Sequence, residues 1–319
     1  SFVKPILRML HIWFPDNLPI ARDHKITIKS LSVIKKLPAK SFKEEPLSED
    51  TDLAIIFTSG TTGTPKGVVH SYKSLFAGIK IICDGIHIAS EDYIYASQIY
   101  FLLIGLNIPA RVYVPKPKKF NAKKFLQTVE REKITSTFLL PYEGQQIFSE
   151  CKKQSRKIPS SLKTLLFGSA PVTKTFLSRL QTVCNADTSV YGVYGATEML
   201  IISLISMKEK LGRASDGDVL GKPLGGVSAV ISDENELLVA GPQMYERYLG
   251  DTEKDQYFYS GDLGKIEEDG NLVMLGRKKD MIIKQGYNIY PALFETIISS
   301  IPGVHECAMI GVYNSFTED

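Results

Sequence analysis

Between Thr58 and Gly67 the sequence reads Thr-Ser-Gly-Thr-Thr-Gly-Thr-Pro-Lys-Gly, directly after the apolar run Leu53–Phe57. Small residues let a backbone fold tightly around an anion, with successive N–H groups turned inward at phosphate oxygens. Gly60 and Gly63 supply that freedom, while Thr58, Ser59, Thr61 and Thr62 add hydroxyl donors and Lys66 adds a compact positive charge. Such a loop suits a phosphate tail. The Walker loop is another solution to the same problem, and counted from Gly60 it fails twice. Pro65 stands where Walker needs Gly, and Gly67 where it needs Ser or Thr. A flexible polar linker is the bland alternative; residues so ordered by type, immediately after a strand-like run, speak against it.

Further along, Tyr194-Gly195-Ala196-Thr197-Glu198 brings an aromatic ring, a hydroxyl and a carboxylate together. Tyr259-Ser260-Gly261-Asp262 ends on a second carboxylate, and Gly276-Arg277-Lys278-Lys279-Asp280 opens a charged cluster. Taken singly, each has an ordinary reading. A Tyr at a strand end packs, a Glu complements a helix N-terminus, and an Asp after Ser-Gly makes a turn.

Taken in order and with their spacing, these segments resemble the motifs of the adenylate-forming acyl-CoA synthetases, the family that includes luciferases and peptide-synthetase adenylation domains. Thr58–Gly67 is similar to that family's phosphate loop, and Gly168-Ser169-Ala170-Pro171 to its Gly-Gly-Ala-Pro turn. Tyr194–Glu198, Tyr259–Asp262 and Gly276–Asp280 follow as its next motifs. The resemblance implies an AMP-forming ligase. A small-molecule carboxylic acid attacks the α-phosphorus of ATP, pyrophosphate leaves, and the thiol of CoA captures the acyl-adenylate.

On that resemblance Lys66 and the hydroxyls of Thr58, Ser59, Thr61 and Thr62 hold the β- and γ-phosphates, Thr197 binds the α-phosphate, and Glu198 holds Mg²⁺. Tyr194 offers its face to adenine, with Gly168, Ser169 and Ala170 along the ring edge and Gly195 and Ala196 continuing the wall. Asp262 takes the ribose hydroxyls and Arg277 reaches ribose or phosphate. Lys279 falls at the hinge about which a C-terminal domain turns, and Gly286 matches a glycine lining the thiol tunnel.

Several features depart from the family. Its members extend before Ser1 and beyond Asp319, and its adenylation lysine lies past that end, so the chain is expected to be a piece of a longer enzyme that adenylates poorly alone. Two connections, Gln98–Val114 and Asp251–Tyr259, are short for the family, either through real deletions or, the favoured reading, because mobile loop residues are missing from the sequence. Leu102 stands where many relatives carry a histidine. That leaves open an acyl carrier protein as acceptor, or β-lactone closure, in place of transfer to CoA.

Elements must position these groups. Asn121 precedes a helical face of Phe125, Leu126 and Val129; Thr135–Leu140 then reads as a strand. Leu162–Phe167 is a second strand, Thr173–Val183 a helix with Phe176, Leu177, Leu180 and Val183 inward, and Ser189–Val193 a third strand. This order predicts an α/β fold with a doubly wound, mostly parallel sheet, whose strand carboxyl ends carry the Gly-rich turns. From Val219 short alternating stretches separated by Gly, Asp and Asn predict a small antiparallel β subdomain. The expected division is 1–218 for the α/β part of a large domain whose first subdomain is missing, 219–276 for the β subdomain, and 277–319 for the hinge and the start of an α+β C-terminal domain.

Composition is that of a globular chain: 319 residues, 44% hydrophobic, with a net charge of only +3. That surplus gives no reason to expect nucleic acid or an anionic membrane as partner. The best apolar run, Phe101–Ala110, is too short to be an integral membrane segment and holds Asn107 and Pro109. Cys83, Cys151, Cys184 and Cys307 are far apart without metal spacing, so reduced thiols in a cytoplasmic protein are expected. His70 and His87 receive no role, and the Lys116–Lys119 and Lys152–Lys157 clusters read as solvated surface. Apolar stretches at Tyr95–Leu106, Phe138–Tyr142 and Met199–Ile205 suggest a pocket for a fatty or other apolar acid, although core packing accounts for much of them. The implied class admits a homodimer. A non-catalytic nucleotide or acyl-adenylate binding module is the reading from another class.

Overall fold

A computed structural model describes residues 48–58, 65–108, 110–116, 119–252, 254–284, 287–299, 301, 303–304 and 307–312. The chain starts with a hairpin, β1 (Asp52–Thr58) and β2 (Lys66–Ser71), then helix α1 (Tyr72–Ile86). Next come β3 (Tyr93–Tyr95), α2 (Ile99–Asn107), β4 (Arg111–Tyr113), α3 (Ala122–Glu132), β5 (Ser136–Leu139), α4 (Pro141–Lys153), β6 (Thr164–Phe167), α5 (Lys174–Gln181) and β7 (Ser189–Tyr194). The antiparallel part follows with β8 (Ser203–Ser206), α6 (Met207–Gly212), β9 (Asp218–Pro223), β10 (Ser228–Ile231), β11 (Glu236–Ala240), β12 (Arg247–Tyr248), β13 (Phe258–Ile266) and β14 (Leu272–Arg277). A 3₁₀ turn (Lys278–Asp280), the pair β15 (Ile282–Lys284) and β16 (Tyr287–Ile289), and α7 (Pro291–Ser299) complete it.

The strand–helix rhythm produces the expected doubly wound sheet. Strands β4, β3, β5, β6 and β7 pair in parallel, and the helices between them cover both faces. Side-chain alternation decides which face each residue serves. Leu165 and Phe167 of β6, with Leu139 of β5, pack beside α3, α4 and α5, where Phe125, Leu126, Ile147, Leu177 and Leu180 are buried. Leu166 and Phe138, one step out of phase, face α1 and α2 and meet Ile79, Ile82, Phe101 and Ile104. Phe101 and Ile104 of α2 are thus core, and α2 stands between the parallel strands β3 and β4. Among the described residues no helix is long and apolar enough to cross a membrane.

Helix starts follow the local sequence. Asn121 Oδ1 accepts from Lys124 N–H at 2.9 Å, Thr173 Oγ1 from Phe176 N–H at 3.2 Å, and Ser71 Oγ from Ser74 N–H at 3.1 Å. Helix α4 opens on Pro141, and Glu143 reaches back to accept from Leu140 N–H.

The antiparallel strands anticipated after Val219 form, and they continue the parallel sheet rather than standing beside it. β8 pairs antiparallel with β7, β9 with β8 and β14 with β9, so one sheet of 11 strands runs from β10 to β4. A buried Lys210, 2% exposed, pairs with Asp218 at 2.6 Å and ties α6 to the start of β9. The phosphate-loop hairpin departs from the expectation that the Gly-rich turns sit at carboxyl ends of parallel strands. β1 and β2 belong to a separate antiparallel sheet of three strands completed by β12. A hairpin returns the chain beside itself, so its loop is carried by a ladder of its own.

Leu166 is fully buried between the two helical layers' sheet strands. Leu166→Ala is expected to destabilise the protein by about 2–5 kcal/mol, read as a lowered midpoint at unchanged slope in urea unfolding.

Candidate active site

The turn after β6 and the end of β7 stand side by side because those strands pair in parallel. The turn Gly168–Pro171 is held close: a Cβ on Gly168 would lie 3.0 Å from the Val193 carbonyl oxygen. Ser169, where the family turn has Gly, takes a left-handed φ of 61°. Ser169, Ala170, Tyr194, Gly195 and Arg277 line one cavity of about 700 Å³. Asp262 stands behind them, 3% exposed. Its Oδ2 accepts from the Tyr194 hydroxyl at 2.6 Å, and Arg277 Nε lies 2.6 Å from Oδ1. That guanidinium N–H points off the axis, so Oδ1 has an ionic neighbour and no linear hydrogen bond.

The consequences for charge are direct. Burial raises the Asp262 carboxyl above its ordinary 3.8, with the Tyr194 hydroxyl and Arg277 opposing. Burial, then the adjoining Asp262 charge, pushes the Tyr194 phenol well above 10.0, which keeps it a donor. A buried carboxylate oxygen lacking a linear donor is a place for hydroxyl donors, so the residues present fit a ribose diol.

From Tyr194 the chain runs through Gly195, Ala196, Thr197 and Glu198 and returns as β8. The loop is closed by Ile202 N–H donating to the Tyr194 carbonyl at 2.9 Å and by Met199 N–H donating to that of Ala196 at 3.1 Å. A Cβ on Gly195 would lie 2.0 Å from the Leu200 carbonyl oxygen, so glycine is required there. Leu200 takes φ 56°, a costly conformation for a branched residue, held by the burial of Met199, Ile201 and Ile202 around it.

At the far end of this loop a second group forms. Glu198 is 8% exposed, its backbone carbonyl accepts from Tyr245 N–H at 2.7 Å, and its Oε1 accepts from the Tyr248 hydroxyl at 2.9 Å. Lys66 Nζ sits 4.8 Å over the same Tyr248 ring. Thr58 is the register partner of Lys66 across the hairpin. His70, fully buried on β2, contacts the Thr197 carbonyl through Nε2 at 2.8 Å and Ser74 Oγ through Nδ1 at 3.2 Å. Burial lowers the His70 ring below its ordinary 6.5, against the Thr197 contact. A neutral ring donates from Nε2 to that carbonyl.

The structure thus brings Ser169, Ala170, Tyr194, Gly195, Asp262 and Arg277 together at one end and Thr58, Lys66 and Glu198 at the other, with Ala196 and Thr197 between. Ser59, Gly60, Thr61, Thr62, Gly63 and Gly286 lie outside the described residues. Lys279 is in the 3₁₀ turn, whose Lys278 pairs with Glu234 at 2.6 Å and Glu236 at 3.0 Å. Glu236 also accepts from Gly261 N–H, beside Asp262. Sequence reasoning missed His70, Glu236 and Tyr248; only their partners far along the chain reveal them. Among the described residues no cluster of His, Cys, Asp or Glu is placed to hold a metal by itself. Glu198 offers one carboxylate, a donor suited to a hard cation such as Mg²⁺ that draws its other oxygens from phosphates and water. Cys83, Cys151 and Cys184 are buried, and burial pushes their thiols up to about 11, 11 and 12.

With this geometry in view, the chain belongs to the AMP-binding enzyme family, which it matches over residues 14–249. It is 28% identical to the 2-succinylbenzoate–CoA ligase of Geobacillus sp. (strain WCH70), over 93% of this chain and 63% of that protein. It is 31% identical to the feruloyl-CoA synthase of Amycolatopsis sp., over 84% of this chain and 58% of that protein. The fold matches O-succinylbenzoate coenzyme A synthetase from Bacillus subtilis, solved with ATP and magnesium ion. The TM-score is 0.77 at 23% identity, covering 89% of this chain and 62% of that one. The chain thus spans about three fifths of the length of these relatives.

A His70 ring lowered from 6.5 makes the unfolded chain the better proton binder below that pH, so stability is full above 6.5 and falls as pH drops toward the lowered value. His70→Gln keeps a donor without this titration. Melting temperature measured against pH is expected to fall less steeply in the variant below pH 6.5.

Proposed function

We propose that this chain is the nucleotide-binding part of an AMP-forming acid–CoA ligase using ATP, Mg²⁺ and CoA. The observation that carries the reading is the single loop Tyr194–Glu198, tied at one end to a buried carboxylate that fits ribose and ending at the other on a carboxylate held by Tyr248, whose ring lies under Lys66. The similarity to named CoA ligases over most of this chain supports the same activity.

In this proposal the substrate carboxylate oxygen bonds to the α-phosphorus of ATP and the bond to pyrophosphate breaks. The CoA thiol sulfur then attacks the acyl carbonyl and AMP leaves. Phosphoryl transfer of this kind depends on positioning and on neutralising developing charge. Lys66, with Thr58, Ser59, Gly60, Thr61, Thr62 and Gly63 of its loop, engages the β- and γ-phosphates, and Thr197 the α-phosphate. Tyr194, Gly195, Ala196 and the Gly168–Ala170 turn flank adenine, Asp262 and Arg277 take the ribose, and Gly286 lies along the path of the thiol. Mg²⁺, when bound at Glu198, supplies charge neutralisation of the phosphate oxygens.

The proposed acid is fatty or otherwise apolar. The apolar stretches Tyr95–Leu106, Phe138–Tyr142 and Met199–Ile205 suggest that choice, although Phe101, Phe138 and Ile201 are core and Leu102, Leu103 and Leu200 pack against it. Reduced, buried cysteines agree with a cytoplasmic location. The chain divides in this reading at 218 and 276, with Lys279 as pivot.

Pyrophosphate release by the full-length protein, measured with ATP and Mg²⁺ across a carboxylic-acid panel with and without CoA, tests the proposal. Acid-dependent release with AMP and an acyl-CoA product is expected. Release without thioester would shift the acceptor to a carrier protein or to β-lactone closure; no acid-dependent release would leave a binding module. Glu198→Gln is expected to slow release on the order of 10²-fold or more, and wild-type rates in that variant would remove its metal role.

A further inference from the structure

Tyr248 is absent from the motif residues above, yet it touches both groups at the phosphate end. We infer that Tyr248 is a positioning residue that fixes the Glu198 carboxylate and the Lys66 ammonium relative to one another for a metal–triphosphate. The inference rests on the ligase reading. The hydroxyl donates to Glu198 Oε1 at 2.9 Å, which settles one carboxylate oxygen and leaves the second without a bond from Tyr248. The ring face lies under Lys66 Nζ at 4.8 Å, which confines a side chain that is otherwise exposed and flexible. One rigid aromatic therefore serves an anion at its edge and a cation at its face.

The backbone that carries the ring is itself constrained. Tyr248 pairs with Val68 in the β2–β12 ladder, and Leu249 N–H donates to the Gly67 carbonyl at 2.7 Å, one residue from Lys66. Arg247 pairs with Asp52 through both terminal nitrogens, which fastens β12 to the start of β1. On the other side Tyr245 N–H holds the Glu198 carbonyl at 2.7 Å, and the Tyr245 ring packs on Tyr248 at 4.9 Å between centroids. The strand bearing Tyr248 is thus bonded both to the lysine's hairpin and to the glutamate's loop. A ring placed only for packing would need neither polar contact.

Outer partners that orient a metal-binding carboxylate typically alter metal affinity by roughly 10- to 100-fold when removed. Tyr248→Phe keeps the ring and loses only the hydroxyl; Tyr248→Leu loses both contacts. The test measures ATP binding to the full-length protein by calorimetry in EDTA and in Mg²⁺, and Mn²⁺ binding in the presence of ATP by electron paramagnetic resonance. In Tyr248→Phe the Mn²⁺ affinity is expected to fall roughly 10- to 100-fold while metal-free ATP binding stays as in wild type. In Tyr248→Leu metal-free ATP binding weakens as well, because Lys66 is released. Placed on Glu198→Gln, Tyr248→Phe should change nothing further. Wild-type Mn²⁺ affinity in Tyr248→Phe, or an equal loss with and without metal, overturns the inference alone. A wild-type protein whose ATP binding ignores the metal overturns the ligase reading at Glu198 and the inference with it.

Discussion

The hydrogen bond from Ile202 N–H to the Tyr194 carbonyl closes the loop on which the candidate site depends. It pinches the chain between the last parallel strand and the first antiparallel one, and the residues inside the pinch face two ways. Tyr194 stays with the buried Asp262, while Glu198 is carried across to the hairpin that bears Lys66. The distance between the Asp262 end and the Lys66 end is then set by a few residues of taut backbone. The tension is visible in Leu200 at φ 56° and in the space refused to any side chain at Gly195. Buried Met199 and Ile202 hold that strain in place.

The two sheets divide the labour. The sheet of 11 strands is covered by helices on both faces through its parallel half, and it presents Tyr194 and Arg277 from strand ends and Asp262 from within β13. The sheet of three strands is smaller and carries Thr58 and Lys66. Contacts between the two combine an apolar cluster, in which Val68 of β2 and Tyr248 of β12 meet Leu220, Leu237 and Phe258, with polar contacts at the site: His70 holds the Thr197 carbonyl, and Tyr248 holds the Glu198 carboxylate. The hairpin is thus set against the larger sheet by apolar packing and by polar contacts at the site, instead of by a shared strand ladder.

Charge burial follows a consistent pattern. Asp262, Glu236 and Lys210 are each nearly closed to water, and each is met by an opposite charge. Such pairs are costly to desolvate and add little net stability, so their value lies in orientation. Glu236 shows this well, since it accepts from Gly261 N–H and from Lys278 and so links the Asp262 turn to the segment leading into the 3₁₀ turn.

Much was legible in the sequence because it is local. Periodicity named α3, α5 and strands β5 to β7, and the helix cap at Asn121 stood where side-chain chemistry put it. Neither the continuity of the sheet past β7 nor the separate seat of the phosphate hairpin was local information. Sheet neighbours are chosen by long-range register, in which a slip of one residue would turn every side chain to the wrong face. His70 had no motif spacing and Tyr248 was one Tyr among 15. Each became part of the site only when β2 and β12 were laid together and the Tyr194–Glu198 loop closed over them. The sequence by itself determined which donors and charges are available. Tertiary structure alone decided which of them meet, because a hydrogen bond is earned by distance and direction, and both are properties of packed strands far apart in the chain.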